Sequence, residues 1–154
     1  MGTDDFSEFY ATSFRRVSSA VRAFCGDAEV AHEATQEAYA RAYARWSRLR
    51  RAQWPQAWVT TTAFNLTRRH HRRRRSSEPT EVAAEGGPTG DRLDLLGALR
   101  ALPERQRRAI VLHYLLDLPV ASVAELMGVT EGAIKAHLHK GRAALRGALE
   151  VRHA

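Results

Sequence analysis

The stretch PVASVAELMGVTEGAIKAHLHKGRAALRGAL, residues 119–149, decides the reading of this chain. It predicts a helix over 120–127 that stops at Gly128, a short turn of Gly128, Val129 and Thr130, and a second helix over 131–149. Thr130 has the hydroxyl that caps a helix start, and Gly128 supplies the residue type that ends one. Ala121, Val123, Ala124, Leu126 and Val129 are apolar where such a pair of helices would pack on itself. At about 100° per residue, Ile134, Leu138 and Leu145 fall on one side of the second helix. Lys135, His139, Arg142 and Arg146 fall on another. One packing face beside one basic face is the pattern of a helix-turn-helix whose second helix enters a DNA major groove, where Lys and Arg reach phosphates and base edges. A solvated amphipathic helix would carry the basic stripe too; the preceding helix and turn favour DNA.

Working outward, the same helical character fills the chain. Helices are expected near 4–24, 27–46, 55–74, 91–101 and 104–116, with Asp27 as a cap and Pro55, Pro103 and Pro119 at helix starts. Strand-like alternation is absent, so the fold class is all-α. Charge divides the chain into three. Residues 1–75 hold fourteen Arg against seven acids, residues 76–91 hold four acids and no base, and residues 92–154 hold ten bases against six acids. The middle piece, SSEPTEVAAEGGPTGD, reads as a flexible acidic linker. The expected organisation is two small helical domains, 1–75 and 92–154, joined by residues 76–91.

The composition excludes several classes. Of 154 residues 44% are hydrophobic, enough for packed cores, and the formal net charge of +7 points to a polyanionic partner or, more blandly, a solvated basic surface. Cys25 is the only cysteine, so an intramolecular disulfide and a Cys-built zinc site are excluded, and Cys25 is expected to be a small buried hydrophobe. No apolar run approaches a membrane span, and MGTDDFSEFY lacks a signal core, so a cytoplasmic protein is expected. His137 and His139 lie about 200° apart on their helix and cannot share a metal ion. Clustered carboxylates, a Gly-rich phosphate loop and a Cys-His pair are all lacking, so neither catalysis nor a cofactor is expected.

The N-terminal module holds two further surfaces. In PQAWVTTTAFNLTRRHHRRRR, residues 55–75, the wheel collects Val59, Thr62, Ala63 and Leu66 for packing. Thr61, Asn65, Arg68 and Arg72 lie opposite, with Trp58 on the flank and Arg69 beside them in the Arg-rich tail. Arginines for phosphates beside a ring for stacking suit strand-separated DNA, although Trp58 would serve equally as core. On the helix over 27–46, Ala31, Ala34, Ala38, Ala42 and Trp46 make the expected buried stripe. Glu29, Glu33, Gln36, Glu37, Ala40 and Ala44 face away: small residues beside carboxylates, which fit either a basic partner helix or plain solvent. Between these helices, SRLRRAQW over 47–54 carries Trp54 in a basic loop able to present a pocket to an extruded base.

Taken in order, these motifs resemble the extracytoplasmic-function sigma factors of bacterial RNA polymerase, from about Phe6 to Leu149. The family's D-x-x-Q-E-x-F reads here Glu33-Ala-Thr-Gln36-Glu37-Ala-Tyr39, and its W-L-x-x-I-A-x-N reads Trp58-Val-Thr-Thr-Thr-Ala63-Phe-Asn65. Its L-P-x-x-x-R reads Leu102-Pro103-Glu-Arg-Gln-Arg107, and its G-T-V-K-x-R-L-x-R reads Gly132-Ala-Ile-Lys135-Ala-His137-Leu138-His139-Lys140. The resemblance implies that Glu29, Glu33, Gln36, Glu37 and Ala40 dock on core polymerase at the β′ clamp helices, with the C-terminal module reaching the β flap. It implies that Trp54, Trp58, Thr61, Asn65, Arg68, Arg69 and Arg72 read and open the −10 element. Thr130, Glu131, Lys135, His139, Lys140 and Arg142 would read the −35 element. An anti-sigma partner is common in the family, and no membrane role is implied. Glu33 for Asp, Thr62 for Ile, Ala133 for Thr and His137 for Arg depart from the pattern; the last two bear on the −35 preference. The two histidines of that helix make pH-dependent DNA affinity an expectation. A stand-alone helix-turn-helix regulator is the rival reading, but no dimer seam is evident and the acidic face would lack a task.

Overall fold

A computed structural model describes residues 2–76 and 90–153, with side chains for 5–75 and 94–151. The described elements are all helical: α1 Gly2–Cys25, α2 Ala28–Ala44, α3 Trp46–Leu49, α4 Pro55–Ser76, α5 Gly90–Ala101, α6 Glu104–Ile110, α7 Val120–Met127 and α8 Glu131–His153. The chain divides into two compact units, Met1–Arg72 and Arg73–Ala154. Most of the expected acidic linker, residues 77–89, lies outside the described residues, while Gly90 and Asp91, counted with that linker in the sequence, begin α5.

In the first unit the alanine stripe of α2 is buried as expected, with Ala34, Ala38 and Ala42 fully enclosed. Alanines let α1 approach closely, and the space beyond them is filled by rings. Phe9 stacks on Trp46 at 4.9 Å, and Tyr10 and Phe14 of α1 flank Tyr39 at 4.8 and 5.9 Å. Tyr39 is buried, its hydroxyl lies 2.7 Å from that of Ser13, and burial pushes its phenol up to about 12, so it stays neutral. Asp27 caps α2 by accepting from the Val30 amide at 3.1 Å. Cys25 is buried.

Two expectations are corrected in this unit. The second helix ends at Ala44, and Trp46 opens the separate turn α3, burying Trp46 and Leu49. The basic stretch 47–54 therefore starts helical, and Trp54 is partly buried instead of standing on an exposed loop. On α4, Val59, Ala63 and Leu66 are buried as expected, but Thr62 is only partly so. Phe64 fills the core instead, at 1% exposure, stacked on Phe24 at a centroid distance of 4.1 Å. Thr60, Thr67 and His70 are buried alongside it. The two threonines satisfy their hydroxyls on α4's own carbonyls, Gln56 at 2.7 Å and Phe64 at 2.6 Å.

In the second unit the helix-turn-helix forms as read. Gly128 takes φ 66°, the left-handed conformation that glycine adopts without a Cβ penalty, and Thr130 Oγ1 accepts from the Ala133 amide at 3.1 Å to start α8. Ile134 and Leu138 are buried with Val123 and Ala124. Leu126 and Ala121 are exposed, contrary to expectation, and Leu145 is half-buried. An eight-residue α7 has room to bury only one side. Gly141 completes the packing face of α8: a Cβ there would come within 3.0 Å of the Ile110 side chain, so α6 and α8 touch where no side chain intervenes. The helix expected over 104–116 is α6 followed by a π-helical turn, Val111–Leu115, closed by the Leu118 amide donating to the Leu112 carbonyl at 3.3 Å. The wider turn keeps Val111 and Leu112 inside and leaves Tyr114 and Leu115 exposed.

Candidate functional site

The acidic face of α2 and the basic end of α4 meet. Glu33 and Glu37 are one turn apart on α2, and His70 of α4 lies between them, its Nδ1 3.2 Å from a Glu33 oxygen and its Nε2 3.2 Å from a Glu37 oxygen. The His70 ring is buried, whereas the Glu33 side chain is 57% exposed. Glu37 also accepts from Arg41 at 2.8 Å and from Arg69. Burial would push the Glu37 carboxyl up, but the bonds and charges of Arg69, His70 and Arg41 outweigh it and hold the group below the usual carboxylate range.

That depression makes the clasp acid-sensitive. A carboxylate whose folded-state value lies below the ordinary 4.5 stabilises the fold in full above that value, and the contribution is lost as pH falls through the lowered one. As pH falls below the ordinary carboxylate range, the melting temperature of the first unit is expected to drop more steeply in wild type than in Glu37→Gln. Parallel melting curves for the two proteins would remove Glu37 from the account.

The remaining α2 residues of the expected docking face are exposed: Glu29, Gln36 and Ala40. Gln36 donates to the Tyr10 hydroxyl at 3.3 Å, so α1 helps to hold that face. Asn65, Arg68 and Arg72 are exposed on α4, while Thr61 is partly buried and bonds back to the Ala57 carbonyl at 3.0 Å. Trp58 is partly buried with the Arg45 guanidinium 5.9 Å from its ring centroid, and the two edge an open cleft of about 630 Å³ completed by Ser47, Arg48, Leu49 and Ala52. The 47–54 stretch supplies four of its lining residues, the end of α2 supplies Ala44 and Arg45, and Trp58, not Trp54, is the ring that lines it. A planar ring beside two guanidinium groups is suited to a base and its phosphate.

Thr130 at the start of α8, and Glu131, Lys135, His139, Lys140 and Arg142 on it, are all exposed, so the polar face is presented as the wheel predicts. The sequence reading missed Tyr114, whose hydroxyl accepts from Arg142 at 2.9 Å. It also missed His70, which read as one more member of a basic tail. A histidine at the spacing of a buried position was the available signal. Among the described residues no helix is long and apolar enough to cross a membrane, and no three His, Cys, Asp or Glu side chains are grouped to hold a metal ion.

Comparison with known proteins fits this arrangement. Residues 9–77 match the Sigma-70 region 2 family and residues 92–145 match Sigma-70 region 4. The RNA polymerase sigma-E factor of Streptomyces antibioticus is 30% identical over 129 residues, covering 79% of this chain and 72% of the relative. That of Streptomyces coelicolor is 27% identical over 155 residues, 96% of this chain and 88% of the relative. The fold is shared with the sigma factor RpoE of Bartonella quintana, solved in complex with the anti-sigma factor NepR, at a TM-score of 0.79 and 20% identity over 97% of this chain and 99% of that one. With both regions present in order and relatives matched along nearly its whole length, the chain belongs to the extracytoplasmic-function sigma factors of RNA polymerase.

Proposed function

We propose that the chain binds core RNA polymerase through the α2 face of Glu29, Glu33, Gln36, Glu37 and Ala40, and directs it to promoters by reading two DNA elements. Residues 1–75 dock and open the −10 element, residues 76–91 tether, and residues 92–154 read the −35 element. Trp54, Trp58, Thr61, Asn65, Arg68, Arg69 and Arg72 serve the −10 element, with the cleft under Trp58 taking a displaced base. Thr130, Glu131, Lys135, His139, Lys140 and Arg142 serve the −35 element, with Tyr114 steadying Arg142. The observation that carries this reading is the exposed polar face of α8 over a buried Ile134 and Leu138, in a chain whose other unit matches region 2. Two modest modules on one tether bind one assembly tightly through effective concentration.

The chain acts as an initiation factor in the cytoplasm and performs no catalytic step of its own. Trapping melted bases favours promoter opening through binding energy alone. An inhibitory anti-sigma protein is a proposed partner, since the Bartonella relative is held by one. The stand-alone regulator leaves the region 2 match without a task. In vitro transcription with core enzyme on genomic fragments tests the reading: added protein is expected to create start sites that core alone does not use, and failure to bind core enzyme would overturn it. Lys135→Ala is expected to weaken promoter binding and to flatten the log–log salt dependence by about 0.9, the share of one phosphate on duplex DNA. An unchanged slope would take Lys135 off the backbone.

A further inference from the structure

We propose that Tyr114 and Arg142 form a clamp for a single phosphate of duplex DNA: Tyr114 itself touches the backbone, and Arg142 is an anchor there, not a base reader. The inference rests on the proposed seating of α8 in a major groove and names the contact made at its edge. Three features support it. First, Arg142 stands about 16 Å along the axis from Glu131, the first residue of α8, at about 1.5 Å per residue. A major groove is about 12 Å wide and is read by the N-terminal residues of such a helix, so a residue that far along meets the phosphate ridge. Second, the pair keeps the right donors unspent. Tyr114 accepts from Arg142 Nη1 at 2.9 Å and has its own hydroxyl proton left to give, with no further partner among the described residues. The Nε and Nη2 edge of Arg142 is likewise without a partner among the described residues, and that edge fits a phosphate in fork geometry. Accepting from a cation also makes the hydroxyl a stronger donor. Third, Tyr114 is 47% exposed yet held in place. His113 packs edge-on against its ring at 4.8 Å and donates from Nδ1 to the Leu118 carbonyl at 2.8 Å. Asp117 closes the turn at φ 53°, a left-handed conformation that Asp tolerates.

Polymerase reconstituted with the full-length chain tests the clamp on a promoter duplex taken from the start sites found by in vitro transcription, with its −35 segment intact or scrambled. A phosphate contact is the same on both duplexes. Tyr114→Phe keeps the ring and removes only the hydroxyl. It is expected to weaken binding to each duplex about fivefold while leaving the ratio between them unchanged. Its salt slope should match wild type, because the hydroxyl carries no charge. Arg142→Gln should flatten the slope by about 0.9, one phosphate on duplex DNA. In an Arg142→Gln background, Tyr114→Phe should cost less than about twofold, since the shared phosphate is already released. Thermal melting of each variant establishes that it is folded. Tyr114→Phe with wild-type affinity overturns the clamp and leaves the −35 reading standing. Loss of preference for the intact duplex in either variant makes Arg142 a base reader with Tyr114 behind it, and overturns the clamp. Losses that simply multiply put the two residues on different phosphates, with the same result. Wild type that does not prefer the intact duplex overturns the −35 reading, and the clamp with it.

Discussion

Phe64→Ala is expected to unfold the first unit near physiological temperature while leaving a transition from the second. Phe64 is among the largest fully buried side chains and stacks on Phe24 at 4.1 Å. Truncating such a ring costs about 3–5 kcal/mol, through lost transfer energy and the cavity left behind. A unit of this size has a total stability of only about 4–10 kcal/mol. A loss of 3 kcal/mol alone lowers the melting temperature of so small a domain by about 12–24 °C. Scanning calorimetry of the full chain should show the first transition displaced by at least about 12 °C and the second where wild type has it. Displacement of both together would mean that the units unfold as one. A shift below about 5 °C would mean that the ring sits in a site that can collapse around an alanine.

The contrast between α2 and α4 shows what the amino-acid pattern can disclose. On α2 the buried stripe runs along alanines at three- and four-residue spacing, joined by Val30, Thr35 and Tyr39, and most charged residues occupy the other side, so period and polarity agree. On α4 the buried set is Ala57, Val59, Thr60, Ala63, Phe64, Leu66, Thr67 and His70, which covers about half the circumference. Three of those eight are polar. Val59, Ala63 and Leu66, the aliphatic members that the wheel collects, mark only one edge of the face, with the small Ala57 on the other, so an apolar wheel centres the stripe too far round, drawing in Thr62 and passing over Phe64. The threonines can be buried because they bond back to their own helix, and His70 because α2 offers it two carboxylates. The second condition depends on a residue more than thirty positions away, which local periodicity does not encode. The helix-turn-helix was legible because its signals are local: a glycine with positive φ, a threonine cap and a heptad-like apolar pair. The π-helical turn was not, since it depends on how Val111 and Leu112 reach the core together.

Reversing charge on the proposed docking face has the largest expected effect on function. Glu33→Lys and Glu37→Lys differ in what they disturb. The Glu33 side chain is 57% exposed and pairs with the buried His70, so Glu33→Lys removes one of the two carboxylates holding that ring and should lower the melting temperature by about 4–8 °C, the equivalent of about 1 kcal/mol. Against a basic partner it turns an attraction into a repulsion, and core polymerase affinity should fall about tenfold, or about 1.4 kcal/mol. Glu37→Lys places an ammonium among Arg41, Arg69 and His70, so it breaks the α2–α4 clasp as well. The double reversal should cost more than about a hundredfold in affinity together with a measurable loss of stability. Raising salt should restore part of the single variant's loss, because exposed charges are screened, and little of the double variant's, because a broken clasp is not repaired by counterions. Titration of labelled chain with core polymerase at two salt concentrations reads all of this. Glu33→Lys with wild-type affinity at low salt would move the polymerase contact off this part of α2. Glu37 is already paired with Arg41, Arg69 and His70, so the exposed Glu33 is the first carboxylate a basic helix meets, and its reversal should act chiefly on the rate of association, with dissociation changed mainly by Glu37→Lys.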